Sequence, residues 1–127
     1  MKKLFLIAFL FPVMAYSQNC EVVASIGGHT GTDSASVKET ASWSALNVLN
    51  KCKDNKSYAI ISYDFSCASA DGKKLVTFPC KGPSFTDEVK IAVREAKSGA
   101  KFYFDMVMVK DPDGKTKPIP GMTIHVK

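Results

Sequence analysis

Residues 58–78 read YAIISYDFSCASADGKKLVTF, and this stretch predicts an antiparallel hairpin. Aromatic and β-branched residues recur from 58 to 67, with small or polar residues between them, which indicates a strand. Asp71-Gly72 predicts a type I′ turn, because that turn needs a positive φ at both central residues. Residues 74–78 then return as the partner strand of an antiparallel hairpin. One face of the first strand carries Ala59, Ile61, Tyr63, Phe65 and Cys67.

The segment before this hairpin predicts a strand, a turn and a helix. Residues 20–26 (CEVVASI) are short and β-branched, which favours an opening strand. The glycine-rich stretch 27–32 lacks the Lys-Ser/Thr ending of a phosphate-binding loop, so it is interpreted as a turn. Trp43, Leu46 and Leu49 lie three residues apart. This spacing predicts a helix near residues 36–50 with one apolar face.

The segment after the hairpin predicts a second helix and two more strands. Thr86 can cap the helix, because its hydroxyl can accept a hydrogen bond from a free N–H of the first turn. Gly99 is a natural stop. Residues 101–109 (KFYFDMVMV) are the clearest strand of the sequence, and residues 122–126 are the last one. A turn, Asp111-Pro112-Asp113-Gly114, separates them. The apolar face of the helix carries Val89, Ala92, Val93 and Ala96, and one face of the clearest strand carries Phe102, Phe104, Met106 and Met108.

The order of these elements is β-α-β-β-α-β-β. It predicts an α+β domain in which two helices pack on one small antiparallel sheet. The chain has 127 residues, of which 46% are hydrophobic and 23% charged. These are values of a folded domain rather than of a disordered chain, and the length suits one domain.

The N-terminal segment has the features of a secretory signal. Two lysines precede an apolar run from 4 to 14, and Ala15 and Ser17 are small residues two positions apart. The run is too short for a membrane anchor. We therefore expect residues 1–17 to be a signal peptide cleaved after Ser17. This leaves residues 18–127 as a single exported domain, periplasmic or secreted.

Lipidation at Cys20 is the lesser alternative to simple cleavage, because Asn19 is not the small residue that a lipoprotein peptidase prefers.

The net charge of the exported chain is only mildly positive. Removal of the two lysines of the signal lowers the net charge from +5 to +3. The remaining lysines are scattered, without a run of five or six and without interleaved aromatic residues. This pattern does not support a nucleic-acid-binding surface, and a solvated surface explains it better.

The four cysteines all follow the cleavage site, and an even count in an exported chain predicts two disulfides. No C-x-x-C pair indicates a zinc site. The hairpin places residue 67 opposite 76 and residue 63 opposite 80, so Cys67 and Cys80 are offset by about four residues, or roughly 13 Å. That distance is beyond disulfide reach. Of the two remaining pairings we favour Cys20–Cys67 with Cys52–Cys80.

Residues that could support catalysis or bind a metal are few. The two histidines, His29 in the glycine-rich loop and His125 in the last strand, have no evident catalytic partner. Asp64 and Asp105 could form a carboxylate pair for glycoside chemistry, but two solvent-facing strand residues explain them better. Met106 and Met108 are interpreted as core residues. We therefore predict no catalytic residue, no metal ligand and no cofactor.

A set of turns and strand patterns covers most of residues 22–127 and resembles one known family. It comprises Val76-Thr77-Phe78, 83–88 (PSFTDE), 97–104 (KSGAKFYF), 111–120 (DPDGKTKPIP) and, less closely, 24–28 (ASIGG), 44–46 (SAL) and 57–63 (SYAIISY). In this order the patterns resemble the C-terminal domain of the gliding-motility protein GldM, of the GldM/PorM-like family. Members of the family begin with a transmembrane helix and carry further periplasmic domains, whereas this chain begins with a signal segment. The resemblance therefore implies a stand-alone copy of the terminal domain.

The resemblance implies an interaction module, because the family's terminal domain meets other envelope components of the gliding and type IX secretion machinery. The expected partners are envelope proteins. Sheet edges and the loops at 27–33 and 110–121 are the expected surfaces, where Pro118, Pro120 and Met122 would present rigid apolar contacts. Two alternatives remain at this point: a small secreted carrier of an apolar ligand, which needs a cavity, and a secreted hydrolase or its inhibitor, which needs a polar cleft.

Overall fold

The structure, a computed structural model, describes residues 20–127. The predicted signal peptide, residues 1–17, and its cleavage site lie outside them. The elements of the described part are β1 (Val22–Ile26), β2 (His29–Thr30), β3 (Thr32–Ala35), α1 (Val37–Ala41), β4 (Asn47–Asn50), β5 (Ala59–Ala68), β6 (Leu75–Lys81), α2 (Asp87–Glu95), β7 (Lys101–Lys110), β8 (Thr116–Ile119) and β9 (Met122–Val126).

Most strands form one main sheet with the order β3-β9-β7-β5-β6, and β8 pairs with β7. A second sheet has the order β2-β1-β4. The α+β class is confirmed, but the single antiparallel sheet was wrong. There are two sheets in the described part, and β3 runs parallel to β9. The sequence hides β3 because its residues, TDSA, are polar and lack the β-branched run that indicated the other strands.

The β5–β6 hairpin has the predicted register. Tyr63 lies opposite Cys80, and Cys67 lies opposite Val76. The turn differs from the predicted type I′. The Gly72 N–H donates to the Ser69 carbonyl, and Gly72 has the one positive φ within the turn, +75°. The connection is therefore a β-turn over 69–72 whose last residue is a left-handed glycine, a common arrangement in longer hairpin loops.

The core is centred on Phe65 of β5. Its ring centroid lies 5.5 Å from that of Phe102, 5.4 Å from that of Phe104 and 6.3 Å from that of Phe85. Edge and tilted ring pairs at these distances are favourable. α2 covers this cluster with its apolar face, of which Val89 and Val93 are fully buried.

The predicted cap of α2 is confirmed. The Thr86 hydroxyl accepts a hydrogen bond from the Val89 N–H, and acidic residues follow in the first turn, where the helix dipole favours them. The helix ends at Glu95, and Gly99, at φ +98°, lies in the turn that leads to β7. This helix positions the groove described below.

The predicted helix at 36–50 was wrong for most of its length. α1 spans Val37–Ala41, and the Ser42 hydroxyl then donates to the Glu39 carbonyl, which closes the helix. The chain continues as an extended segment and forms β4, which pairs with β1. Two serines and a threonine within ten residues weaken a helix, and the edge of β1 offers the backbone a better partner.

Bulges shift the faces of the two longest strands. Met106 has φ +53° and is 74% exposed, so Val107 and Val109 take the buried positions that the alternation assigned to Met106 and Met108. The prediction that Met106 is a core residue was therefore wrong, whereas Met108 is half-buried. Ile61 of β5 lies in a similar irregularity opposite β7, and it is exposed whereas Ile60 is buried. An extra residue in a strand reverses the alternation beyond it.

The predicted disulfide pairing was also wrong. Cys20 is bonded to Cys52, with 4.8 Å between the Cα atoms, and Cys67 and Cys80 are free. The β1–β4 register, in which Val22 faces Asn50, leads directly to this pair two residues beyond the ladder. The sequence could not indicate the pair because β4 was interpreted as helix. The predicted offset between Cys67 and Cys80 follows from the confirmed hairpin register.

Candidate functional site

β6 is the outermost strand of the main sheet, and no strand of residues 20–127 pairs with its outer edge. The Ser69 N–H donates to the Lys74 carbonyl at the hairpin end of the β5–β6 ladder. Hydrogen-bonded and non-hydrogen-bonded residue pairs alternate along an antiparallel ladder. The backbone groups of Leu75, Thr77 and Pro79 therefore point away from β5. Pro79 fits this register because it has no N–H to give to the ladder.

The side chains of this edge are unusually apolar for a solvent-facing strand. Leu75 is 65% exposed and Val76 is 43% exposed, whereas Phe78 is half-buried. Natural edge strands are usually protected by charge, proline or a covering segment, and on β6 the lysines and Pro79 protect the ends of the strand but leave Leu75 and Val76 uncovered. Here lysines flank the strand at positions 73, 74 and 81, and positions 72–82 contain no acidic residue. The edge is thus an apolar strip between positive ends.

A groove of about 440 Å³ lies beside this edge, between the hairpin end of β5–β6 and the second half of α2. Its apolar walls come from both layers. Charged side chains, two of each sign, surround them. The apolar lining is Cys67, Ala70, Val76, Ala92, Ala96 and Ala100, and the charged lining is Asp71, Lys74, Glu95 and Lys97.

The groove contains the free thiol of Cys67. Burial raises the pKa of this thiol, so it is protonated at neutral pH. The thiolate is the nucleophilic form of cysteine. Cys67 therefore contributes an apolar surface to the groove and has no features of an activated nucleophile.

His29 lies in a different part of the molecule and is held by two carboxylates. Its Nδ1 lies 2.6 Å from Asp33 Oδ2, and its Nε2 lies 2.6 Å from Glu39 Oε2. The hydrogen bond with Asp33, followed by that with Glu39, raises the pKa of His29. The indole of Trp43 packs beside the imidazole, with 5.7 Å between the ring centroids. Both ring nitrogens are occupied within the protein, so this arrangement fastens the glycine-rich segment to α1.

The two aspartates considered for glycoside chemistry lie on neighbouring strands. Asp64 of β5 is directly opposite Asp105 of β7, with Asp105 exposed. The structure thus brings together the two residues that the sequence analysis considered as a possible pair. His125 of β9 lies opposite Lys101, in another row of the same sheet. No cluster of three or more metal-ligating side chains occurs among residues 20–127.

The proposed contact residues around β8 differ in accessibility. Pro118 and Pro120 are exposed, whereas Met122 is buried opposite Phe104. Met122 therefore belongs to the core, and the two prolines are the members of this group that a partner could reach. Neither helix within residues 20–127 is long and apolar enough to cross a bilayer.

Sequence reasoning named sheet edges as surfaces in general but did not identify β6 as the apolar edge or find the groove. The combination of an apolar run, flanking lysines and Pro79 in one strand was the available signal, since proline is confined to edges. No protein-family model matches this sequence, and the search of curated proteins found no significant match.

Proposed function

We propose that this chain is an exported, non-enzymatic protein-interaction module of the bacterial cell envelope, related in design to the terminal periplasmic domain of GldM. Its partners in this proposal are envelope proteins, with gliding and type IX secretion components as the first candidates. The observation that carries the proposal is the unpaired β6 edge with exposed Leu75 and Val76. Such an edge is a template for strand addition by another chain.

Two features support the cellular setting of this proposal. The Cys20–Cys52 disulfide fits an oxidising compartment outside the cytoplasm. The signal-like segment at 1–17 agrees with it. The gliding or secretion role rests on the resemblance of the strand and turn patterns.

Affinity capture from native envelope extract tests the proposal. The bait is the purified exported protein as wild type, as Thr77→Pro and as Thr77→Val. Thr77→Pro removes an outward N–H without removing a β5–β6 ladder bond, and the strand already accommodates Pro79 in the same register. Thr77→Val keeps the N–H and loses only the hydroxyl.

Support would be a specific envelope protein retained by the wild type and by Thr77→Val but lost with Thr77→Pro. A folded wild-type bait that retains nothing above an unrelated control domain would contradict stable docking. Equal retention by all three baits would show that docking uses another surface.

The groove supports a second candidate function, that of a carrier of a small apolar ligand. Its volume of about 440 Å³ lies within the range of small-molecule sites, and its walls are mainly apolar. Mass spectrometry of organic extracts from the purified protein would test this candidate. A stoichiometric lipid or other apolar compound, lost in an Ala92→Phe variant, would support the carrier.

A further inference from the structure

We propose that the β6 edge receives an extended apolar segment with acidic flanks, and that one side chain of this segment fills the groove beside α2. This inference rests on the proposed interaction function and specifies the class of partner. Three sets of observations carry it: the free backbone groups of β6, the position of the groove and the charges of the edge.

The backbone groups of β6 limit where a new strand can pair. Leu75 and Thr77 each present an outward N–H and an outward carbonyl, whereas Pro79 presents only a carbonyl. A pairing strand therefore has its full set of hydrogen bonds only at the hairpin end of β6. The groove lies at this same end, since both Val76 and Asp71 line it.

The groove lies where a side chain of the added strand would point. Val76 faces the helix layer, in the same row as Cys67 on β5. A strand added about 4.8 Å beyond β6 continues this row outward. Its inward side chain would then lie against Ala92 and Ala96 of α2, whose small size leaves the space open. The added side chain would complete the layer that Phe65 and Val93 fill further inside.

The charges of the edge select the flanks of the segment. Lys73, Lys74 and Lys81 lie at the two ends of the apolar strip, and no acidic residue lies between positions 72 and 82. Acidic residues on both sides of a short apolar core complement this pattern.

The same charges disfavour a second copy of this chain as the occupant. An antiparallel pair of β6 strands centred on Thr77 would place Lys73 of each copy opposite Lys81 of the other. Like charges directly opposite each other across strands are destabilising. Within positions 72–82 a second copy carries lysines and no acidic residue that could meet Lys73 and Lys81, so we assign the partner to a segment of a different chain.

Selection from a random decapeptide library displayed on phage tests the inference without knowledge of the natural partner. The bait is the exported protein, and enriched peptides are then measured against four variants. We expect alternating apolar residues with Asp or Glu on both sides. Thr77→Pro should weaken their binding at least tenfold, as should Ala92→Phe, which fills the groove.

Two variants serve as matched controls. Thr77→Val retains the backbone donor, and Ile91→Ala removes an exposed apolar side chain of α2 outside the groove. Both should bind the selected peptides within twofold of the wild type. A Lys73→Glu/Lys81→Glu bait should instead select peptides with basic flanks.

Enriched peptides that bind Thr77→Pro and Ala92→Phe as tightly as the wild type would overturn the inference, as would enrichment without acidic flanks. An empty selection on a folded bait would also overturn it. In each of these cases, an envelope protein still retained in the capture experiment would leave the proposed function standing with another docking surface. An empty capture would remove the proposed function as well.

Discussion

The imidazole of His29 and the carboxylate of Glu39 are joined by a hydrogen bond of 2.6 Å between Nε2 and Oε2, which ties β2 to α1. Asp33 occupies the other ring nitrogen at the same distance. A histidine can donate from both nitrogens only as the imidazolium, because the neutral ring keeps one lone pair. The two carboxylates therefore select the protonated form, and deprotonation would turn one attractive contact into a repulsive one.

The stability of the protein should depend on pH through this cluster. The pKa of His29 is raised above its ordinary value of 6.5, so its contribution is fully present below that pH and is lost as pH rises through the folded-state pKa. The pKa of Asp33 is lowered, chiefly by the bond with His29, so its contribution is present above its ordinary value of 3.8 and is lost as pH falls. The cluster therefore stabilises the fold most between about pH 4 and 6.5.

Urea unfolding of the wild type and of His29→Gln from pH 5 to 9 measures this effect. We expect the free energy of unfolding of the wild type to fall from pH 6.5 upward, with a linkage of less than one proton, and the slope to flatten in His29→Gln. His125→Gln is the matched control, because it removes the other histidine of the chain, and it should keep the wild-type slope. Equal slopes for wild type and His29→Gln would contradict the prediction.

Removal of the Cys20–Cys52 disulfide should strongly destabilise the protein. The disulfide closes a loop with a sequence separation of 32 residues. In the chain-entropy model, loss of a cross-link that closes a loop of this size lowers the free energy of unfolding by about 3–4 kcal/mol. That is a large part of the roughly 5–15 kcal/mol of a typical domain. Urea unfolding of the double variant Cys20→Ser/Cys52→Ser measures the loss.

Cys67→Ser is the control for the disulfide prediction, since it removes a free, half-buried thiol, and it should cost about 1 kcal/mol or less. Alkylation of the denatured, unreduced protein should also label two cysteines, Cys67 and Cys80. Labelling of all four, or a peptide map that joins Cys20 to Cys67, would show that the pairing is different.

The elements that sequence reasoning identified correctly are those whose structure is determined locally. The β5–β6 hairpin register follows from a turn and two apolar runs, and the start of α2 follows from the hydroxyl of Thr86. The region around Leu46 was misinterpreted because its three-residue spacing fits a helix, whereas β1, distant in sequence, pairs with the residues that follow. Tertiary pairing overrides a weak local preference.

The same reason explains what was missed at the candidate site. Apolar residues in β6 were recognised, but the groove exists because the small residues Ala92 and Ala96 of α2 lie beside Val76. This juxtaposition depends on the packing of helix on sheet, which the pattern along one element does not contain. The exposure of Met106 was hidden likewise, because a bulge reverses the alternation without a change in residue type.

Gly121 should be intolerant of any side chain. It connects β8 to β9, and a Cβ atom at this position would overlap the carbonyl oxygen of Phe104 on the neighbouring strand. Backbone cannot yield as a flexible side chain can, so Gly121→Ala should lower the free energy of unfolding by about 1–3 kcal/mol or more. Chemical denaturation measures the change.

Gly72→Asn is the matched control for Gly121→Ala. Gly72 has φ +75° with open space around it, and asparagine tolerates that conformation. Gly72→Asn should therefore lower the free energy of unfolding by less than about 1 kcal/mol. If Gly121→Ala were as mild as this control, the close approach to Phe104 would be wrong.

Asp64 and Asp105 should repel each other across the main sheet. They are direct partners on β5 and β7, and like charges in this position destabilise a strand pair. Asp105→Lys should convert the repulsion into attraction and raise the free energy of unfolding by about 0.2–1 kcal/mol. Asp105→Asn, which removes the repulsion without adding a cation, should give a smaller gain. Both gains should shrink in 1 M salt, where the screening length is about 3 Å.

Thermal unfolding of the three proteins at low and high salt measures these differences. A stability order of Lys above Asn above Asp at position 105 at low salt, compressed at high salt, would support repulsion between the two side chains across the strands. If Asp105→Lys were instead less stable than the wild type, the pair would be held by a favourable interaction. The carboxylate chemistry considered from the sequence would then need a direct assay against glycoside substrates.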